Sequence, residues 1–180
     1  MTSTTEIPQL SLDFAFFREG RGTAMVPVLV MVDKDTACIF AYVLESKSST
    51  LPSWIPRELQ RCIQQLGYFG AIILKGDREP SLTAVLHHVA RLRQAPTQIE
   101  HNAVGDSQSN GRVERAVQTV EMMTRTFKLD LENRMGHAVP VSCAMFSWLV
   151  RHAADTYNKF QPGRGGKNPI STMPWSGLWW

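Results

Sequence analysis

Apolar and polar positions alternate along this chain with two different periods. Residues 10–17, LSLDFAFF, form an apolar and aromatic run interrupted by Asp13. Residues 24–33, AMVPVLVMVD, are apolar almost without a break, the pattern of a strand buried on both faces. Pro27 within it predicts an irregular first part or a position at a sheet edge. Residues 36–46 form a third run, TACIFAYVLES. The short polar stretches 18–23 and 33–35 read as turns, so the three runs predict an antiparallel meander.

The period then changes. After Pro52 and Pro56, Leu59, Cys62, Ile63 and Leu66 recur at helical spacing, with Gly67 near the end. A β-branched strand follows at 71–75 and ends at Gly76-Asp77. Pro80 and Ser81 open a second helix whose buried face is Leu82, Val85, Leu86, Val89 and Leu92. Residues 97–101 predict a short fifth strand. A polar loop, 102–111, precedes a long helix marked by Val113, Ala116, Val117, Val120, Met123 and Phe127. A last helix is expected over about 139–159. The order is βββ-α-β-α-β-α-α, without internal repeats. Residues 1–9 are polar and expected to be loose, 10–160 form one core, and the Gly-, Pro- and Trp-rich stretch 161–180 reads as a connector.

Composition narrows the class. Hydrophobic residues are 43% and charged residues 19% of the 180, which is globular. The net charge of +3 permits a nucleic-acid partner without demanding one. Three cysteines at 38, 62 and 143 give no CxxC pair, so neither a zinc ribbon nor a disulfide scaffold is indicated. No apolar run is long enough to span a bilayer, and the N-terminus does not read as a signal peptide.

Candidate chemistry rests on three carboxylates. Asp13 interrupts the first strand, Asp77 follows the fourth, and Glu114 lies in the first turn of the long helix. If the first and fourth strands are neighbours, Asp13 and Asp77 stand side by side, and a helix across that edge adds Glu114. Such a cluster repels itself unless a cation neutralises it, and hard oxygen ligands suit magnesium or manganese. Two such ions about 4 Å apart serve in-line phosphoryl transfer. Bland readings compete: Asp13 as a solvated strand residue, Asp77 as a cap for the helix at Pro80, and Glu114 as a first-turn acid. Asp33 and Asp35 rival Asp13 and read as turn residues.

Arg112 and Arg115 flank Glu114 in sequence and are candidates for phosphate contact, whereas Arg125 and Lys128 read as a solvated face. Ser109 and Asn110 either contact a DNA backbone or cap the helix. The cysteines read as core or surface thiols. Trp175, Trp179 and Trp180 either dock on the core or meet a partner.

These pieces resemble a known family. LSLDFAFF, LKGDREPS and HNAVGDSQSNGRVERAVQTV look like the catalytic core of retroviral and LTR-retrotransposon integrases, and SQSNGRVE (107–114) is the most specific of them. Residues 78–113, 36 in all, separate Asp77 from Glu114, close to the family's spacing. The resemblance covers roughly residues 8–160. It implies an α/β, ribonuclease H-like fold, a mixed five-stranded sheet flanked by helices. It implies a metal-dependent polynucleotidyl transferase with two magnesium or manganese ions held by Asp13, Asp77 and Glu114. Its substrates are the element's DNA ends and a target duplex, contacted by Ser109, Asn110, Arg112, Arg115 and Gln118.

The family also implies a nuclear site of action, after assembly of the element particle in the cytoplasm. It implies a homodimer or higher homo-oligomer, pairing through about 55–66 and 139–159. The wide apolar girdle of the last helix agrees with a second buried face. Arg78-Glu79-Pro80 departs from the small residues usual after the second aspartate, which keeps a catalytically decayed DNA- or protein-binding core as the alternative. The chain is expected to be an excised core or a fragment of a longer polyprotein.

Overall fold

A computed structural model describes residues 6–18, 25–45, 52–101, 107–162 and 167–173, with the backbone alone for 107–110 and 172. Nine elements carry the fold: β1 (Gln9–Phe17), β2 (Val26–Asp33), β3 (Ile39–Val43), α1 (Trp54–Gln65), β4 (Ile72–Gly76), α2 (Pro80–Leu92), β5 (Thr97–His101), α3 (Ser107–Met135) and α4 (Ala144–Phe160). A short 3₁₀ turn follows at Pro169–Thr172. The five strands form one sheet in the order β3-β2-β1-β4-β5. The first three are antiparallel, whereas β4 and β5 run parallel to β1. A mixed five-stranded sheet flanked by helices is therefore what the chain builds.

Both faces of the sheet are covered, which explains the unbroken apolar runs. Along β1, Leu10, Leu12 and Phe14 enter one core, together with residues of α1 and α2. Ala15 and Phe17 enter the other, against Val113, Ala116 and Val120 of α3 and Phe146, Val150 and Ala154 of α4. β2 divides in the same way: Leu29 and Met31 on one side, Val28, Val30 and Val32 on the other. A strand covered on both sides has no polar face to show.

Gly76 lets α2 close on the sheet. A Cβ there would stand 2.8 Å from Leu82 Cδ2, so the buried Leu82 side chain would have to shift.

Several boundaries differ from the sequence reading. Pro27 lies inside β2, between β1 and β3, not at an edge: it pairs in register with Phe16, and its carbonyl accepts from Leu44 N–H. Proline is tolerated there because it is only the second residue of the strand. β3 is shorter than expected, because the turn after Asp33 continues to Cys38. Thr36 N–H and Oγ1 both donate to Asp33 Oδ2, at 2.8 and 2.7 Å, and Ala37 adopts a positive φ of 60°. α3 begins at Ser107, so its first turn absorbs the end of the expected loop. α4 begins at Ala144, after extended Cys143, because a turn closed by Cys143 N–H donating to the Pro140 carbonyl precedes it. Residues 167–173 were expected to be part of a connector. Instead Met173 is buried in the α1–α2 core, and Ile170 packs against it.

The outer strand β3 is closed by a side chain. Asn158 of α4 accepts from Ile39 N–H at 2.8 Å and donates to Ile39 C=O at 2.7 Å. The amide imitates a neighbouring strand where the ladder ends. Among the described residues, no helix is long and apolar enough to cross a membrane.

Candidate functional site

The parallel pairing of β1 and β4 places the first two carboxylates. Ser11 pairs with Lys75 and Leu12 with Gly76, so Asp13 and Asp77 come next in the same register. Neighbouring strands lie about 4.8 Å apart, and successive side chains alternate between faces. Leu12, Ile72 and Leu74 point into the α1–α2 core. Asp13 and Asp77 therefore belong to the opposite face, where α3 and α4 pack on β1, β2 and β3. Both are half-buried. Asp13 Oδ1 accepts from Phe14 N–H at 2.7 Å, which limits how the carboxylate can turn.

Lys75 was not among the sequence candidates. Alternation along β4 puts it on the same face, two residues before Asp77 and beside Ser11. Ser11, Asp13, Lys75 and Asp77 thus lie together on this face, with Glu100 of β5 on the other side of Lys75 in register. The spacing of two before Asp77 was the signal available in the sequence.

Local structure also decides between readings of Asp77. The N-cap of α2 is Glu79, with Pro80 as the first helical residue. Ser81 Oγ donates to Glu79 Oε1 at 2.5 Å. The capping position is thus filled two residues after Asp77. The charged stretch 78–80 has a local structural use, with Glu79 turned to the helix start and Arg78 exposed.

Glu114 is exposed on α3, between buried Val113 and buried Ala116. Arg112 stands two residues earlier, so roughly 200° around the helix axis. Arg112 Nη1 donates to the carbonyl of Lys34 in the β2–β3 turn. Glu114 is consequently on the other flank, facing away from β3 and toward the β1–β4 side. Gln118, one turn later, shares that flank and is exposed. Sequence adjacency thus misleads: Arg112 and Glu114 are neighbours in the chain but not on the helix surface. Arg112 and Arg115 line a groove of about 510 Å³ on the β2–β3 side. Ser109 and Asn110 fall in the first turn of α3, and their side chains lie outside the described residues.

The three carboxylates are not gathered into one cage. Among the described residues, no three His, Cys, Asp or Glu side chains are grouped closely enough to hold a metal ion. Two hard oxygen donors stand side by side, and the third is on the flank turned toward them.

Asp33, the rival first aspartate, reads as a turn residue in the sequence but is the last residue of β2, paired with Leu10, and its side chain braces the turn that follows. It is fully buried, and its Oδ2 also accepts from Tyr68 O–H at 3.0 Å. Burial holds its carboxyl above the ordinary aspartate range, against the donors from Thr36 and Tyr68. It faces the α1–α2 core, on the side of the sheet away from Asp13. The cysteines are free thiols, two of them buried. Burial pushes the Cys38 thiol up to about 12 and that of Cys62 up to about 11, which leaves both protonated and poor nucleophiles at neutral pH.

No family profile matches the chain, and no curated protein matches it in sequence. Solved structures do match. The catalytic core domain of BIV integrase is 19% identical, with a TM-score of 0.59 over 91% of both chains. The magnesium complex of the HTLV-2 integrase catalytic core domain, in a trimeric form, is 14% identical, with a TM-score of 0.64 over 91% of this chain and 93% of that one. An intasome of simian T-cell lymphotropic virus, bound to the PP2A regulatory subunit B56 gamma, is 16% identical. Its TM-score is 0.66, over 89% of this chain and 52% of that one. The fold is therefore that of retroviral integrase catalytic cores, the ribonuclease H-like fold.

Proposed function

We propose that this chain is the catalytic core of a retroelement integrase, performing metal-dependent processing of DNA 3′ ends and their transfer into a target duplex. The observation that carries this reading is the register of β1 and β4. It sets Asp13 and Asp77 side by side, at the carboxyl end of β4, on the face packed by the helix that bears Glu114. The likeness to integrase cores supports it, and one of those cores is a magnesium complex.

Asp13 and Asp77 would hold one ion between them, and Glu114 would complete a second position from the α3 flank. Bound there, two magnesium or manganese ions would activate a water or 3′ hydroxyl and stabilise charge on the leaving oxygen. The protein's own part is positional. The sheet fixes two carboxylates by backbone pairing, with Lys75 on the same face two residues before Asp77. Placing the nucleophile in line contributes as much as polarising it. Gln118, on the same flank as Glu114, is placed to meet the DNA strand entering the site.

A core decayed in catalysis but retaining nucleic-acid or protein binding is the second reading. It is favoured by the absence, among the described residues, of a closed three-carboxylate group. Thermal melting separates the two. Magnesium or manganese should raise Tm, because binding to the native state alone stabilises it by mass action. The rise should vanish in Asp13→Asn. An equal rise in that variant would place the ions elsewhere, and no rise in the wild-type chain would favour decay.

The same reading includes a homodimer. α4 buries Phe146, Leu149 and Val150 but leaves Met145 and Trp148 45% and 55% exposed. The Trp148 ring is stacked on His152 at 4.6 Å, and Trp54 of α1 is also exposed. Arg151 Nη2 reaches Glu58 Oε1 at 3.3 Å, so α1 and α4 present one continuous surface. An exposed apolar stripe of this kind is commonly buried by two-fold pairing. Light scattering should report a dimer that becomes a monomer in Trp148→Glu. A wild-type monomer would reject the pairing.

A further inference from the structure

The groove on the other flank of α3 has no part in carboxylate chemistry, yet two arginines line it. Arg112, Arg115 and Thr119 form one wall and Tyr157 of α4 the other, with Val32 and Ile39 as floor. No acidic residue lines it. Arg112 is tied to the β2–β3 turn through the Lys34 carbonyl, which uses one of its five N–H donors and fixes the guanidinium at the rim. Arg115 is exposed, one turn further along the same wall. Gly111 lies at the mouth, which is open: a Cβ there would meet nothing within 4 Å.

Two cations above an apolar floor, one of them tied to the β2–β3 turn, with a half-buried aromatic ring opposite, select a ligand that is both anionic and flat. An isolated phosphate needs neither the floor nor a hollow of about 510 Å³. We propose that this groove binds a single-stranded nucleic-acid segment, its phosphates on Arg112 and Arg115 and a base against Tyr157. Stacking on an aromatic ring accepts any base, whereas the phosphates supply affinity and salt dependence. A duplex keeps its bases paired and cannot use the ring. The width of the α3 backbone separates this track from Asp13 and Asp77. The inference extends the integrase reading by giving a displaced or frayed strand a place to lie while the other flank works.

The test is fluorescence anisotropy of a labelled oligo-dT and of a duplex of equal length, in EDTA, across a salt series. Arg112→Ala and Arg115→Ala should each weaken oligo-dT binding on the order of tenfold and lower the slope of log K against log salt by about 0.7. Tyr157→Leu should weaken oligo-dT binding and leave duplex binding unchanged. Arg134→Ala, an exposed arginine at the far end of α3 and outside the groove, should bind both as the wild type does. If Arg112→Ala loses the turn contact and unfolds, exposed Arg115→Ala carries the measurement. Unchanged affinity and slope in folded Arg115→Ala would overturn the groove, as would equal loss of duplex binding in Tyr157→Leu. The integrase reading falls by a separate result: strand transfer unaffected by Asp77→Asn.

Discussion

Asp77→Asn and Glu114→Gln should each lower metal-dependent strand transfer on the order of 10³-fold or more, without loss of the fold. Each exchange keeps side-chain size and removes the charge that a divalent cation needs. Removing one member of a group that acts as a unit costs nearly as much as removing all of it, so the double variant should be little worse than either single. The folded state should not suffer. Asp77 and Asp13 are neighbours by register, and without a cation two such carboxylates repel. Neutralising one should hold or raise Tm in EDTA. The assay is strand transfer of a labelled DNA end in manganese, beside melting of the same preparations. Wild-type rates in both variants would remove Asp77 and Glu114 from the site and leave only the fold in common with integrases. The exposed position of Glu114 makes it the sharper case, since no packing role can explain a loss of activity there.

Asn158→Leu should destabilise the fold by about 2–4 kcal/mol, the largest stability effect expected of a single polar residue here. Asn158 is buried and makes two hydrogen bonds, to the N–H and the C=O of Ile39. Leucine has the same number and branching of side-chain heavy atoms, but it leaves a buried donor and a buried acceptor without partners. Each such orphan costs about 1–3 kcal/mol. Asn158→Asp should be no better: it keeps the acceptor, loses the donor and buries a charge. Urea unfolding gives the stability, and amide exchange at Ile39 should quicken more than at the central strand β1. A loss below about 1 kcal/mol would mean that water replaces the amide at the β3 edge.

Much of the architecture is readable along the chain, because each element's period reports how it is buried. The run 28–32 is apolar at every position because β2 is covered on both faces, by different helices. The helical spacings of Leu59, Cys62 and Ile63, and of Leu82, Val85 and Leu86, mark the stripes that α1 and α2 bury. Asp13 stood out for the same reason: a carboxylate amid buried aromatics needs a cause. Gly76-Asp77 is legible as a strand end, although the close approach of Leu82 to the glycine is not.

What the chain order conceals is which neighbours in sequence are neighbours in space. Asp13 and Asp77 become adjacent only through the parallel pairing of β1 with β4, a long-range contact that no local pattern encodes. Lys75 joins them through the same pairing. Arg112 and Glu114 are parted by helical geometry, which turns residues two apart to opposite flanks. Met173 reaches the core only because the chain after α4 folds back, and its short apolar signal is too weak to announce that return. Periodicity is set by burial, a property of each element, and is written locally. Register, flank and closure are set by how elements meet, and only the assembled sheet and helices decide them.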